Sequence, residues 1–249
     1  MRALHVAASG MAAQQTRIDT VANNLANVNT TGFKKSRATF QDVFYEELAG
    51  GARGARADLG GGSKLAGLVK NHSAGTIEQT GNTLHVALAG PGMMVLEDRQ
   101  GNPVYSRDGS LRIDADGRLR GGSGLPLMGQ LIVPEGSTDL QIDVDGTMRV
   151  RLEGDDRQTV VGQIELVQFV NNAGLRALGS NNFAMTEQSG DALPDDGSTE
   201  VRQGFLETSN VDVAEELIAL VTAQRAYELN SKVIQAADEA LQVTNSLKR

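Results

Sequence analysis

The sequence contains no cysteine and no tryptophan, and among its 249 residues there are only five prolines, three histidines, three tyrosines and six phenylalanines. Each scarcity removes a class of chemistry. Without cysteine there are no disulfides, no thiolate metal ligands and no thiol nucleophile, and a thiol-free chain suits export into an oxidising space. His5, His72 and His85 stand in helical, turn-like and strand-like contexts, and none has a second histidine or a carboxylate at metal-ligand spacing. No segment approaches eighteen consecutive apolar residues, so no membrane-spanning helix is expected. Arg2 and Leu4 lead into an amphipathic pattern and not an unbroken apolar run, so a cleavable secretory signal is not expected either. With 23 Lys+Arg against 31 Asp+Glu, the net charge is −8, and no basic stripe is present. That balance argues against nucleic acid or an anionic membrane as partner.

The remaining catalytic patterns also fail. Asp114-Ala115-Asp116-Gly117 and Asp143-Val144-Asp145-Gly146 look like the start of a calcium loop. The twelfth positions, which need a bidentate Glu, hold Leu125 and Gly154. Neither Ser9-Gly10 nor Gly109-Ser110 forms a nucleophile elbow. The glycine-rich stretch around residues 50–62 has no apolar strand before it and no Gly-Lys-Ser/Thr after it, so it does not cradle phosphate. Carboxylates are too numerous for a glycosidase-like pair to be singled out. The reading is a non-enzyme with no catalytic, cofactor-binding or metal-ligating residues.

What is present lies at the two ends. Val213, Leu220, Tyr227, Ile234 and Leu241 recur every seven residues, with Ala223, Asn230 and Ala237 in a second row. There is no Pro or Gly after Gly204, Asn210 suits an N-cap, and Asp212, Glu215 and Glu216 fill the first turn. A helix over 212–249 would be roughly 57 Å long at about 1.5 Å per residue. Leu4, Met11, Ile18 and Leu25 repeat the seven-residue spacing at the N-terminus, where Gly32 suits the left-handed position after a helix. Such spacing keeps a seam on one side of a helix, and a partner helix must cover it. The alanine-rich seams predict a coiled-coil pair that is marginal alone and ordered when several copies pack together.

Between the ends the chain reads as strands and tight turns, giving an α+β fold. We expect an N-terminal helix in residues 1–32, a flexible Gly-rich arm in 33–67, a β-rich domain in 68–205 and a C-terminal helix in 206–249. Two Ile-Asp-x-Asp-Gly hairpin signals, at 113–117 and 142–146, predict a repeated strand-turn unit of type I′ geometry. Gln163 to Val170 reads as a further alternating strand.

The run VANNLANVNTTGFKKSRATFQD from Val21 resembles the N-terminal signature of the bacterial flagellar rod and hook family, carried here by Asn23, Asn24, Asn27, Asn29, Gly32 and Phe33. QGFLETSNVDV, with Gln203, Gly204, Ser209 and Asn210, resembles the C-terminal signature, and both ends are most similar to distal-rod members. The segments GNTLHVALAGPGMMV and YSRDGSLRIDADGRL resemble the shared central strands, with Met93-Met94 standing where aromatic residues are usual. The resemblance implies a structural subunit that polymerises helically into the straight distal rod, a drive shaft transmitting torque to the hook. Proximal-rod and hook subunits are close variants of that reading. It also implies passage through the flagellar export apparatus, a periplasmic location in the basal body, and contacts with itself, proximal-rod and hook subunits and ring bushing proteins. Read from the residues alone, the asparagines crowding the last turns of the first helix either mark a fraying helix end or bond backbone or side chains of a neighbouring subunit and fix register. A non-flagellar coiled-coil oligomer displaying a β-domain and a secreted enzyme are the alternatives from other classes.

Overall fold

The computed structural model describes residues 2–43, 46–48, 57–59, 61–129, 131–154 and 157–247. Two compact units emerge, each assembled from separated stretches of chain. The first gathers residues 1–26, 36–70 and 212–249, and the second gathers 27–35 and 71–211. The fold is α+β, with mostly short strands and one long helix near each terminus.

In the first unit, helix α1 (Arg2–Ala26) packs along helix α2 (Val213–Leu247). The pair is antiparallel: Gly10 lies against Asn230, and Asn24 bonds Glu216, so paired positions sum to 240. α1 stops at Ala26, within the Asn-rich run, where Thr30 donates from its backbone to the Asn27 carbonyl and from its hydroxyl to Asn27 Oδ1. Those local bonds compete with helix continuation. α2 is capped by Asp212, whose Oδ1 accepts from the backbone N–H of Ala214 (2.8 Å) and Glu215 (3.1 Å). Asn210, the residue expected to cap it, is engaged elsewhere.

The stretch expected to be a flexible arm is paired over much of its length. Strand Ser36–Asp42 runs antiparallel to Ser63–Lys70, and Glu46–Leu48 continues the same pairing with Ala57–Leu59. Thr39 and Phe40 in the first of these strands and Val69 in its partner supply strand-forming side chains. The Gly-rich centre, 49–56 and Gly60, lies outside the described residues. Ser63 N–H donates to Ser9 Oγ, fastening this ribbon to α1.

The second unit is built on a six-stranded antiparallel sheet ordered 176–179, 182–184, 103–106, 93–97, 166–168, 193–194. Its central strand Met93–Glu97 is buried on both faces. Met94 and Leu96 join Val86, Leu88, Met148 and Ile164 in one core, while Met93 and Val95 join Tyr105, Phe169 and Phe183 in another. The period-two alternation of a strand makes that division. The expected strand over 163–170 is broken at Ile164–Glu165 into Gln158–Gln163 and Leu166–Gln168, which serve different sheets. The two Asp-Gly hairpins are built alike, as the repeat implied, but not with type I′ turns. In each, one backbone N–H bonds three residues back, from Gly117 to Asp114 and from Gly146 to Asp143. The first Asp N–H also closes on the residue after the glycine. Only Gly117 (φ +77°) and Gly146 (φ +82°) are left-handed, the signature of a three-residue loop ending in a bulge.

Candidate functional site

The helix pair is closed by small residues. On α1 the buried row is Ala7, Ala13, Thr20, Val21 and Asn24, while Leu4, Met11, Ile18 and Leu25 are half-buried beside it. On α2 Ala223 is fully buried and Glu216 nearly so. Leu220, Asn230, Ile234 and Ala237 are half-buried, and Val213, Tyr227 and Leu241 are exposed. A Cβ on Gly10 would stand 3.0 Å from Asn230 Nδ2, so the backbones approach as closely as that glycine allows. Asn24 keys the register: its Nδ2 donates to Ser36 O (2.9 Å) and Glu216 Oε2 (3.2 Å), and its Oδ1 accepts from Ser36 N–H (2.9 Å). The bond expected from that amide to a neighbouring subunit is made within the chain instead, because its position on the last full turn faces both α2 and the strand that follows.

α2 carries a second apolar stripe that α1 does not cover. Ala226, Leu229, Val233, Ala236, Ala240 and Val243 succeed one another at intervals of three and four, the spacing of a helix–helix seam. Leu229 is 63 % exposed, Val233 49 % and Val243 58 %, and Ile218 opens the stripe at 68 %. Contiguous exposed apolar surface of this kind marks an interaction site.

In the second unit three charged side chains meet out of contact with water. Lys34 Nζ lies 2.6 Å from Glu207 Oε1 and Arg107 Nε lies 2.8 Å from Glu207 Oε2, with exposures of 0 %, 3 % and 0 % for the lysine, arginine and glutamate side chains. Gly75 N–H adds a bond to Glu207 Oε1. The remaining Arg107 donors reach Leu88 O, Gly90 O and Gly92 O, and Lys34 also reaches Ser73 O. Burial alone would raise the Glu207 pKa, but the charges of Arg107 and Lys34 more than offset it and hold the carboxyl below its ordinary range. Burial lowers Lys34 despite the attraction of Glu207, with Arg107 repulsion acting the same way. One carboxylate serves two cations, so it stays ionised while the desolvation cost falls on the ammonium.

The other motif residues surround this hub or extend from it. Gly32 is buried at φ +65°, its N–H bonds Glu207 O, and a Cβ would meet the Asp108 backbone at 2.9 Å. Phe33 is buried. Asn210 gathers four partners: its Oδ1 accepts from Lys35 N–H, its Nδ2 donates to Asn71 O and Ser73 O, and its own N–H donates to Phe33 O. These lie beside three of the places where the chain passes between the two units. Gln203 donates to Thr83 O and Leu140 O and accepts from Ile142 N–H, and Gly204 is left-handed at φ +82°. Ser209 Oγ accepts from Val211 N–H, while Asn23 and Asn29 are exposed and Asn27 half-buried.

Three family profiles match the chain: a flagella basal body rod protein profile over residues 4–34, a flagellar hook protein D1 domain profile over 87–150, and a flagellar basal body rod C-terminal profile over 202–247. The flagellar basal-body rod protein FlgG of Borreliella burgdorferi is 40 % identical, with 100 % of this chain and 99 % of the relative aligned. Its Bacillus subtilis namesake is 37 % identical over the whole of both chains. The hook-basal body complex protein FlhP of Bacillus subtilis is 28 % identical over the same extent. The chain belongs to the flagellar basal-body rod protein family.

Each matched segment contributes one member of the buried triad: Lys34 from the first, Arg107 from the second and Glu207 from the third. Lys34 and Glu207 sit inside the signature runs, but nothing in the residue pattern marked them as partners. They are 173 residues apart, and Arg107 stands 100 residues from Glu207. Among the described residues, no group of three or more His, Cys, Asp or Glu is arranged to hold a metal ion, and no helix is long and apolar enough to cross a membrane.

Proposed function

We propose that this chain is the repeating subunit of the flagellar distal rod, polymerising through its terminal helices into a rigid tube that carries torque from motor to hook. The uncovered stripe of α2 carries the reading. A helix that is apolar on more than one side needs more than one partner, and α1 supplies only the first. Fully burying a Val, Leu or Ile side chain is worth about 1.5–3 kcal/mol, so covering Leu229, Val233 and Val243 in a neighbour's helices supplies several kcal/mol per contact. The resulting inner layer is a coiled coil of α1 and α2 helices from many copies, with Leu4, Met11, Ile18, Leu25, Leu220, Tyr227, Ile234 and Leu241 at its seams. One patch meets a different patch on the next copy, so the contact does not close and the assembly grows as a helix. Proximal-rod and hook subunits cap its two ends, ring bushing proteins surround it in the periplasm, and the export apparatus delivers each copy.

Leu229→Asp and Val233→Asp test this. Each puts a carboxylate on the stripe without touching the α1 seam. The expected outcome is a monomer with the parent's thermal unfolding curve and no filaments by electron microscopy or sedimentation. Filaments of normal length and yield from both variants would overturn the reading.

A further inference from the structure

The two flanks of α2 that α1 leaves open are unequal. On one side the continuous apolar stripe Ala226, Leu229, Val233, Ala236, Ala240, Val243 runs from the middle of the helix towards its C-terminal end, with Ile218 alone before it. On the opposite flank Val213, Leu217 and Val221, all exposed, occupy only its first turns. The same flank continues with Gln224, Glu228, Gln235 and Gln242, which are polar and exposed. The centres of the two apolar stretches lie near residues 217 and 234, about 17 residues or roughly 26 Å apart along the axis at about 1.5 Å per residue.

We infer that neighbouring copies pack their α2 helices side by side with this axial offset, the N-terminal flank of one against the C-terminal stripe of the next. The inference rests on the self-assembly proposed above. Copies in a polymer that grows in one direction point the same way, so the helices are parallel, and without an offset each apolar stripe would face the neighbour's polar residues. Each copy uses both halves of the contact once, leaving one half free at each end, which is the condition for continued growth.

The absence of cysteine makes a direct test available. Leu217→Cys, Val233→Cys and Ala236→Cys chains are prepared separately, polymerised singly or as mixtures, and oxidised. A disulfide needs Cα atoms within about 7 Å, so the offset predicts cross-linked dimer when Leu217→Cys is mixed with Val233→Cys or Ala236→Cys, and none in any single-variant polymer. Cross-linking of Leu217→Cys to itself overturns the inference, and so do polymers whose mixtures give no cross-link. Both leave the proposed function standing. Failure of the cysteine-free parent to polymerise overturns the function and the offset together.

Discussion

Replacing Glu207 by Gln removes one negative charge and almost no volume, and it isolates what the buried triad contributes. The amide Oε1 can still accept from Gly75 N–H, so the backbone contact survives. What is lost is the carboxylate that faces both the buried Lys34 ammonium and the Arg107 guanidinium. Arg107 keeps three carbonyl acceptors, at Leu88, Gly90 and Gly92, but its Nε–H then faces the amide NH2, while Lys34 keeps Ser73 O and loses its ionic partner. Breaking a buried pair by removing one partner costs about 3–5 kcal/mol, set against a total domain stability of about 5–15 kcal/mol. Urea unfolding followed by far-UV circular dichroism should show a loss of that size at neutral pH. Adding Lys34→Met to Glu207→Gln should recover most of it, because the buried ammonium goes with the lysine. The pH dependence has a definite sign. A carboxyl whose pKa is depressed on folding stabilises above its unfolded value, about 4.3, and that stability is lost as pH falls through the lower folded value. The parent should therefore lose stability more steeply than Glu207→Gln below about pH 4. A loss under about 1 kcal/mol, the range of a solvent-exposed pair, or no recovery in the double variant, would refute the reasoning.

Three further substitutions probe the rest of the framework. Gly32→Ala should cost about 1–2 kcal/mol from the left-handed backbone alone, with an additional penalty because the new Cβ meets the Asp108 backbone at 2.9 Å; thermal unfolding measures it. Asn24→Ala leaves Ser36 N–H and O and Glu216 without the amide that joins them, and should cost about 1–3 kcal/mol in a urea titration read by helical ellipticity. Ala223→Asp buries a carboxylate in the α1–α2 seam. Helical ellipticity should fall and polymerisation stop, while the β-unit still melts cooperatively.

How far the residues announced this structure depends on the distance over which each signal acts. The terminal helices were legible because heptad spacing is a local property, and the paired Asp-Gly turns were legible because each hairpin closes within a few residues. Their turn type was not, since one left-handed glycine after a type I turn and two left-handed residues in a type I′ turn share the same letters. The pairing of 36–42 with 63–70 was not legible because the glycines between these stretches read as a linker, their backbone entropy being high. The triad was out of reach, because three ordinary charges from three distant segments acquire meaning only when the fold removes them from water.

α2 is the instructive case. Its rows of Leu220, Tyr227, Ile234 and of Ala223, Asn230, Ala237 are both seven-periodic, so spacing alone does not say which row faces α1. Register decides: Gly10 lies against Asn230 and Asn24 reaches Glu216, so Ala223, seven residues from both Asn230 and Glu216, goes inward and Tyr227 stays at the surface. The apolar residues left over on the remaining faces are unfavourable in a single chain exposed to water. A sequence that keeps them on a helix with an already satisfied seam specifies a second set of contacts, and under the function proposed above another copy of the same helix supplies the matching surface.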